Sequence, residues 1–304
     1  MSRKLFSKKS NITFIGAGKI AYSLCSALIK AGYNVSAVIS KKKSSADNFA
    51  KKFKITLSSS SLKSLTGENR IYFLTVPDSE IKKTETALSK LKLDFKNSIF
   101  IHVSGALDIN ELGSLKKNNA HIASFHIMQT FPSKEVVEIK NCQAAIEAEE
   151  KIVKDFLNKL AFDLKLKPFY LKSDKKIYYH LAGVFASNFL AGNLFATAKL
   201  FKMTESGKKN FFSVYQATIN STLNNIRKSG AAKSLSGPVE RGDYETIKRH
   251  LKALKKKDKM IYMSYVVQSL FLMNVSEEKN GKLNEGQKRI RKILLKEYNQ
   301  LKKL

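Results

Sequence analysis

Residues Asn11-Ile12-Thr13-Phe14-Ile15-Gly16-Ala17-Gly18-Lys19-Ile20-Ala21 decide the fold. The first five form a short apolar, β-branched run, the pattern of a buried parallel strand. A G-x-G-x-x-A turn follows and opens a helical run over residues 22–31. Gly16 permits the tight turn and Gly18 lets backbone approach a pyrophosphate. Ala21 stands where helix packs on strand. The free amides of Ala17, Gly18, Lys19 and Ile20 at the helix start would then face phosphate oxygens. The motif alone is weak evidence, but here it has a strand before it and a helix after it.

The pattern repeats outward. Residues 34–39 read as a second strand. Its end holds Ser40-Lys41-Lys42-Lys43, where an NAD site places a carboxylate for the ribose 2′-hydroxyl. No acid follows until Asp47. A hydroxyl and a cationic run suit a 2′-phosphate, so the expected cofactor is NADP(H), held in part by Ser40, Lys41 and Lys42. Strands are expected over 70–76, 98–103, 142–148 and 164–171, with helices over 45–53 and 149–160. Asp78 or Ser79 could cap the helix after Pro77. Thr75, Val76, Pro77, His102, Ser104 and Gly105 fall at strand ends, beside the ligand crevice of a doubly wound sheet.

Past residue 171 the pattern turns helical, with helices expected over 174–201, 206–228, 244–254, 258–274 and 284–301. The expected fold class is α/β: a Rossmann-like NADP-binding domain over 1–171 and an all-α substrate and dimerisation domain over 172–304. On an ideal helix His180, Ser187 and Asn188 share a face, at i, i+7 and i+8. An imidazole and an amide facing one way could protonate a nascent alkoxide and orient a carbonyl. A packed core His and a helix-packing Asn would look the same in sequence. Ser236-Gly237-Pro238-Val239-Glu240-Arg241-Gly242-Asp243 reads as a polar loop between helices. In it Asp243 could cap the next helix, and Arg241 could meet Asp243 or a substrate carboxylate.

Composition bounds the alternatives. The chain has 304 residues, 43% of them hydrophobic, enough for a core. Its net charge is +30, from 55 Lys+Arg against 25 Asp+Glu. Only seven of those basic residues are arginine, and the lysines spread along the whole chain. That pattern fits solvated faces better than nucleic-acid recognition, which favours the guanidinium fork. The basic stretch 282–304 reads as a solvated helix. Cys25 and Cys142 form neither a disulfide scaffold nor a metal-ligand spacing, which suits a reducing, cytoplasmic setting. No uninterrupted apolar run approaches 18 residues, and residues 1–10 lack a signal-like apolar region. No membrane or nucleic-acid partner and no metal are therefore expected.

Six motifs in order carry a resemblance over about residues 11–275. They are Gly16-Ala17-Gly18-Lys19-Ile20-Ala21; Leu74-Thr75-Val76-Pro77-Asp78; His102-Val103-Ser104-Gly105-Ala106-Leu107-Asp108; His126-Ile127-Met128-Gln129-Thr130-Phe131; Tyr179-His180 through Ser187-Asn188; and Ser236-Gly237-Pro238 with Arg241-Gly242-Asp243 and His250-Leu251. The chain resembles the Rossmann-like proteins with a C-terminal DUF2520 domain, cousins of ketopantoate reductase and pyrroline-5-carboxylate reductase. Ile127 stands where that family usually has Pro, and Ser236 where Thr is common.

The resemblance implies an NADP-dependent reductase with a dimer-forming helical half, and some members look like an alternative ketopantoate reductase. The reaction expected from it is reduction of 2-dehydropantoate to pantoate. His180 would donate the proton and Asn188 would hold the carbonyl. Ser104, His126, Ser187, Ser236, Arg241 and Asp243 would bind substrate, with His126 the rival acid. Reduction of an imine of the pyrroline-5-carboxylate type, or a non-catalytic NADP-binding sensor, are the competing readings.

Overall fold

The computed structural model describes residues 5–67, 69–206 and 209–301. By contact the chain divides into two compact units, Met1–Leu190 and Ala191–Leu304.

The first unit alternates strand and helix. Its elements are β1 (Asn11–Ile15), α1 (Lys19–Lys30), β2 (Val35–Ile39), α2 (Lys43–Phe53), β3 (Leu57–Ser59), β4 (Asn69–Leu74), α3 (Asp78–Leu88), β5 (Ile99–His102) and α4 (Gly113–Lys117). They continue as β6 (His121–Ile127), β7 (Gln143–Glu147), α5 (Lys151–Asp163), β8 (Lys167–Tyr170) and α6 (Lys176–Gly183). The strands form one sheet in the order β3-β2-β1-β4-β5-β6-β7-β8. β1 to β6 run parallel, β7 runs antiparallel to β6, and β8 runs parallel to β7. Strand order reverses between β1 and β4. In such a sheet the ligand crevice lies outside the carboxyl ends of the strands at that point.

Alternating strand residues fill two cores. Phe14, Phe73, Ile101 and Phe125 pack with Leu24, Phe49 and Leu157 of α1, α2 and α5. On the other face Tyr72, Leu74, Phe100 and Ile122 pack with Ile81, Leu88 and Leu115 of α3 and α4. The rings of Tyr72 and Phe100 stack with centroids 4.4 Å apart. Each fully buried aromatic side chain contributes about 1.5–3 kcal/mol. That dense core holds the strand ends, and so the crevice, in place.

Two strands escaped the sequence reading. β3 is three residues, two of them Ser, and has no apolar period. β6 includes His121, Ser124 and His126, which hide a strand that is otherwise buried. The expected cap at Asp78 or Ser79 is corrected: Asp78 is the first residue of α3, and Pro77 occupies the cap position.

Across the unit boundary the helix continues. α6 runs into a π-helical turn, Val184–Phe189, and then α7 (Leu190–Lys202). The second unit adds α8 (Phe211–Ser229), α9 (Pro238–Arg241), α10 (Tyr244–Leu254), α11 (Lys259–Asn280) and α12 (Glu285–Leu301). Its core joins Val239, Ile247, Leu251, Ile261, Val266, Met273, Ile290 and Leu294. The expectation of a solvated basic tail is thus corrected within its described part. α12 places Gln287, Ile290 and Leu294 on one buried stripe and leaves its lysines outside.

α7 and α8 bury no residue in the chain. Phe185, Phe189, Phe195, Phe212 and Leu223 are all exposed. The helical stretch Ser173–Lys202 is long and apolar enough to cross a membrane by length and composition. A search for uninterrupted apolar runs passes over it because His180, Ser187, Asn188 and Asn193 interrupt the run.

Candidate functional site

The Gly-rich turn is shaped by its contact with the end of β4. Gly16 has φ +106, a region that L side chains rarely adopt. A Cβ there would lie 2.7 Å from the backbone of Thr75, and one on Gly18 would lie 3.0 Å from the Thr75 carbonyl. The Gly16 N–H donates to the Ile39 carbonyl at 2.7 Å, and the Thr75 hydroxyl donates to the Gly16 carbonyl at 2.6 Å. β1, β2 and β4 are thereby laced together at the turn. α1 starts at Gly18 with no side-chain cap and no acidic residue in its first turn. Its first amides are free to meet an anion, aided by the helix dipole.

A cavity of about 620 Å³ opens at this turn. It brings together Gly16, Ala17, Gly18, Ser40, Lys41, Thr75, Val76 and Pro77, all named from sequence. Lys19 and Ile20 lie in the first turn of α1, and exposed Lys42 precedes α2; none of the three lines the cavity. Lys63 and Lys83 do line it, together with Glu80, Ser60 and Ser61. The sequence reading missed them because Ser60, Ser61 and Lys63 follow the unrecognised β3, while Glu80 and Lys83 belong to α3. Lys41 meets Glu80 at 2.5 Å, and Lys43 meets Asp47 at 2.5 Å. The cationic run is therefore partly neutralised by carboxylates of the same unit. The glycine cradle, the uncapped helix start and the adjoining hydroxyls and ammoniums fit a phosphorylated dinucleotide.

A polar cluster lies at the ends of β5, β6 and β7. His102 is fully buried. Its Nδ1 accepts from the Ser104 N–H at 3.3 Å, so Nε2 carries the proton and donates to the Asp108 carbonyl at 3.1 Å. Burial, and then the Lys176 charge, push its pKa down to about 3. The Ser104 hydroxyl donates to Asp78 at 2.8 Å and accepts from the N–H groups of Ala106 and Leu107. Ser104 is therefore a turn-fixing residue in this structure, whatever else it holds.

His126 stands next to it. Its Nδ1 is 2.9 Å from the Tyr179 hydroxyl. A Cβ on Gly105 would lie 2.7 Å from its Nε2, so only glycine leaves the ring this room. Burial, then the charges of Lys176 and His180, push the His126 pKa down to about 4. Burial pushes Tyr179 up to about 12. Tyr179 thus stays protonated and donates to Nδ1, leaving the proton of a neutral His126 on Nε2.

His180 is half-buried and Asn188 exposed. The expected shared face of His180, Ser187 and Asn188 is corrected by the π turn between them. A π turn takes up about one extra residue. Asn188 then sits near the position of an i+7 residue relative to His180, and Ser187 rotates away.

The loop of the second unit is a packed element. Gly242 has φ +76, and a Cβ there would lie 2.5 Å from the Asn284 side chain. Glu240 pairs with Lys279 at 2.8 Å, and Gln287 donates to the Glu240 carbonyl at 2.6 Å. Asp243 caps α10, accepting from the Thr246 N–H at 3.1 Å. Ser236 and Arg241 stay exposed.

Sequence reasoning missed Lys176 and Glu147, both buried and paired at 3.1 Å. No local signal marks either: they are one lysine among many and one acid at a strand end.

The comparisons agree with this geometry. Residues 11–104 match the family model described as "NADP oxidoreductase coenzyme F420-dependent". Residues 142–268 match "Domain of unknown function (DUF2520)". No curated protein matches the chain. Among solved structures, the chain is similar to a protein of Bacteroides fragilis described as an NADP oxidoreductase, at 24% identity and TM-score 0.75, covering 87% of this chain and 98% of that one. Protein TM1727 of Thermotoga maritima is similar at 23% identity and TM-score 0.65, covering 88% and 99%. A pyrroline-5-carboxylate reductase of Coxiella burnetii is similar at 17% identity and TM-score 0.54, covering 89% and 98%. These likenesses bear out the α/β class, and the family model bears out NADP(H) as the cofactor type. The chain thus carries, in order, a match to an NADP-oxidoreductase family model over residues 11–104 and a match to DUF2520 over residues 142–268.

Proposed function

We propose that the protein is an NADPH-dependent reductase of a small 2-keto acid, with 2-dehydropantoate, reduced to pantoate, as the favoured substrate. The observation that carries the reductase reading is the polar cluster at the strand ends of the dinucleotide-binding sheet. There Tyr179 holds His126 through Nδ1, the ring's Nε2 lies against Gly105, and His180 follows Tyr179 on α6. The choice of substrate rests on the motif resemblance.

When bound, NADPH supplies the hydride to the carbonyl carbon. The Gly16–Gly18 backbone and the first amides of α1 hold the pyrophosphate. Ser40 and Lys41 hold the 2′-phosphate, for which Lys41 must leave Glu80. His126 Nε2–H hydrogen-bonds the carbonyl oxygen, and His180 gives that oxygen its proton as the alcohol forms. Asn188 orients the same end of the substrate. A neutral imidazole donor and a separate acid divide the work between two groups whose environments differ.

The likeness to a pyrroline-5-carboxylate reductase favours an imine substrate as the second reading. The proposal includes a homodimer through α6, α7 and α8, supported by their exposed aromatic residues.

NADPH oxidation measured over a set of small 2-keto acids and cyclic imines tests the reading. Turnover with 2-dehydropantoate is expected. Turnover only with the imine replaces the substrate, and NADPH binding without turnover on any of them leaves the sensor reading.

A further inference from the structure

Lys176 is 1% exposed, although its side chain ends in a strongly hydrated ammonium. A lone buried ammonium costs several kcal/mol, so its surroundings must compensate. Its Nζ donates to the Ser124 hydroxyl and to Glu147 Oε2 at 3.1 Å. Glu147 is itself buried, and its Oε1 accepts from the Ile109 N–H at 3.1 Å and the Ser173 hydroxyl at 2.5 Å. The pair joins β6, β7, the segment after β5 and the first turn of α6. Packing alone does not call for a charge here, because an apolar pair of similar volume is often as stable or more so. What the charge adds is a field beside two imidazoles.

We propose that Lys176 is a positioning residue: its ammonium, anchored on Ser124 and Glu147, ties the turn that carries Tyr179 and His180 to the sheet and so sets the place and charge environment of His126, two residues after Ser124 on β6. The kinetic part rests on the reductase reading; the structural part does not. The groups facing His126 are Lys176, Tyr179 and His180 of α6 and His102 of β5. Those facing Lys176 are Glu147 of β7, Asp108 and, at the start of α3, Asp78. Burial pulls the Lys176 pKa down, and Glu147 opposes this most strongly. Lys176 in turn opposes a proton on His102 and on His126, and acts more strongly on His126 than His180 does. Burial is the first cause of the lowered His126 pKa and Lys176 the second, and Tyr179 settles the tautomer. His126 can then hold a carbonyl oxygen without itself being the acid, which leaves proton delivery to His180.

The test uses the full chain. Lys176→Met removes the charge, and Lys176→Met with Glu147→Gln removes it without leaving an orphan carboxylate. The His126 titration midpoint is read by NMR in the ligand-free protein, and the pH dependence of kcat/KM by NADPH oxidation. The expected result is a rise of the His126 midpoint, since Lys176 is the strongest of the charges that oppose its proton. The acid limb of kcat/KM should move to higher pH with it, and kcat should fall about tenfold. An unmoved His126 midpoint in either folded variant overturns the proposal and reduces Lys176 to a packing role. If the unmodified protein turns over no substrate, the reductase reading fails, while the NMR midpoint still decides what Lys176 does to His126.

Discussion

The sheet of the first unit and the helical stretch from α6 to α8 treat apolar residues in opposite ways. Phe14, Tyr72, Phe100 and Phe125 are fully buried, whereas Phe185 is 62% and Phe195 64% exposed. The sheet solves its own burial problem, since helices cover both faces and the strand ends stay rigid enough to place a turn and two imidazoles. The stretch from α6 to α8 leaves many of its large apolar side chains exposed, among them Phe185, Phe189, Phe195, Phe212 and Leu223. Between Ile177 and Ala196 the polar residues are few, with His180, Ser187, Asn188 and Asn193 set among apolar ones, whereas α8 is mixed. The contrast teaches that the proposed chemistry belongs to the ordered polar cluster between the sheet and α6, while the exposed aromatic face is the one the proposed dimer would use.

Four experiments break or sharpen that contrast, taken from the largest effect down. His180→Ala should lower turnover by about 10²–10⁴-fold if it is the proton donor, with folding intact by circular dichroism. A loss below tenfold assigns proton delivery elsewhere in the cluster. Phe185→Asp together with Phe195→Asp should convert a dimer into a monomer in sedimentation at micromolar concentration. A monomeric unmodified protein ends the dimer reading, and binding of that protein to lipid vesicles would make a membrane the covering instead.

On the sheet side, Lys41→Ala should weaken NADPH binding about tenfold and leave NADH binding nearly unchanged, read by nucleotide fluorescence. Equal losses for both nucleotides would remove Lys41 from the 2′-phosphate. The smallest effect is on stability. His102 and His126 have folded pKa values near 3 and 4, below their unfolded value of about 6.5. The unfolded chain therefore binds more protons between those values. Their contribution to stability is present above about pH 6.5 and lost as pH falls toward 4 and then 3. Urea midpoints should drop over that window, with the unfolding free energy falling by up to about 1.4 kcal/mol per pH unit for each imidazole. His102→Gln should flatten the slope.

Much of this was legible in the sequence. The Gly16–Ala21 turn is readable because each position answers a local steric demand, and the structure places its glycines against Thr75. The parallel strands β1, β2, β4 and β5 are readable because both their faces are buried, which leaves a continuous apolar run. β6 is harder, because its buried Ser124 and half-buried His126 serve the polar cluster rather than the core. The relation of Asn188 to His180 could not be counted from spacing, since a π turn leaves no signature in residue type.

The sequence by itself determined the fold class, the cofactor type and the residues at the strand ends, because turns, strand periods and helix starts are short-range matters. Only the tertiary structure decided which charges meet. Lys176 finds Glu147 and Ser124 across 29 and 52 positions of chain, and Lys41 finds Glu80 across 39. Those pairings depend on how the strands are ordered in the sheet, which brings an ordinary lysine to Ser124 and Glu147 in the buried interior, where the carboxylate offsets the burial of its charge. The sequence offered a chain of +30 with lysines everywhere. The fold singled out the few whose positive charge has a place to act.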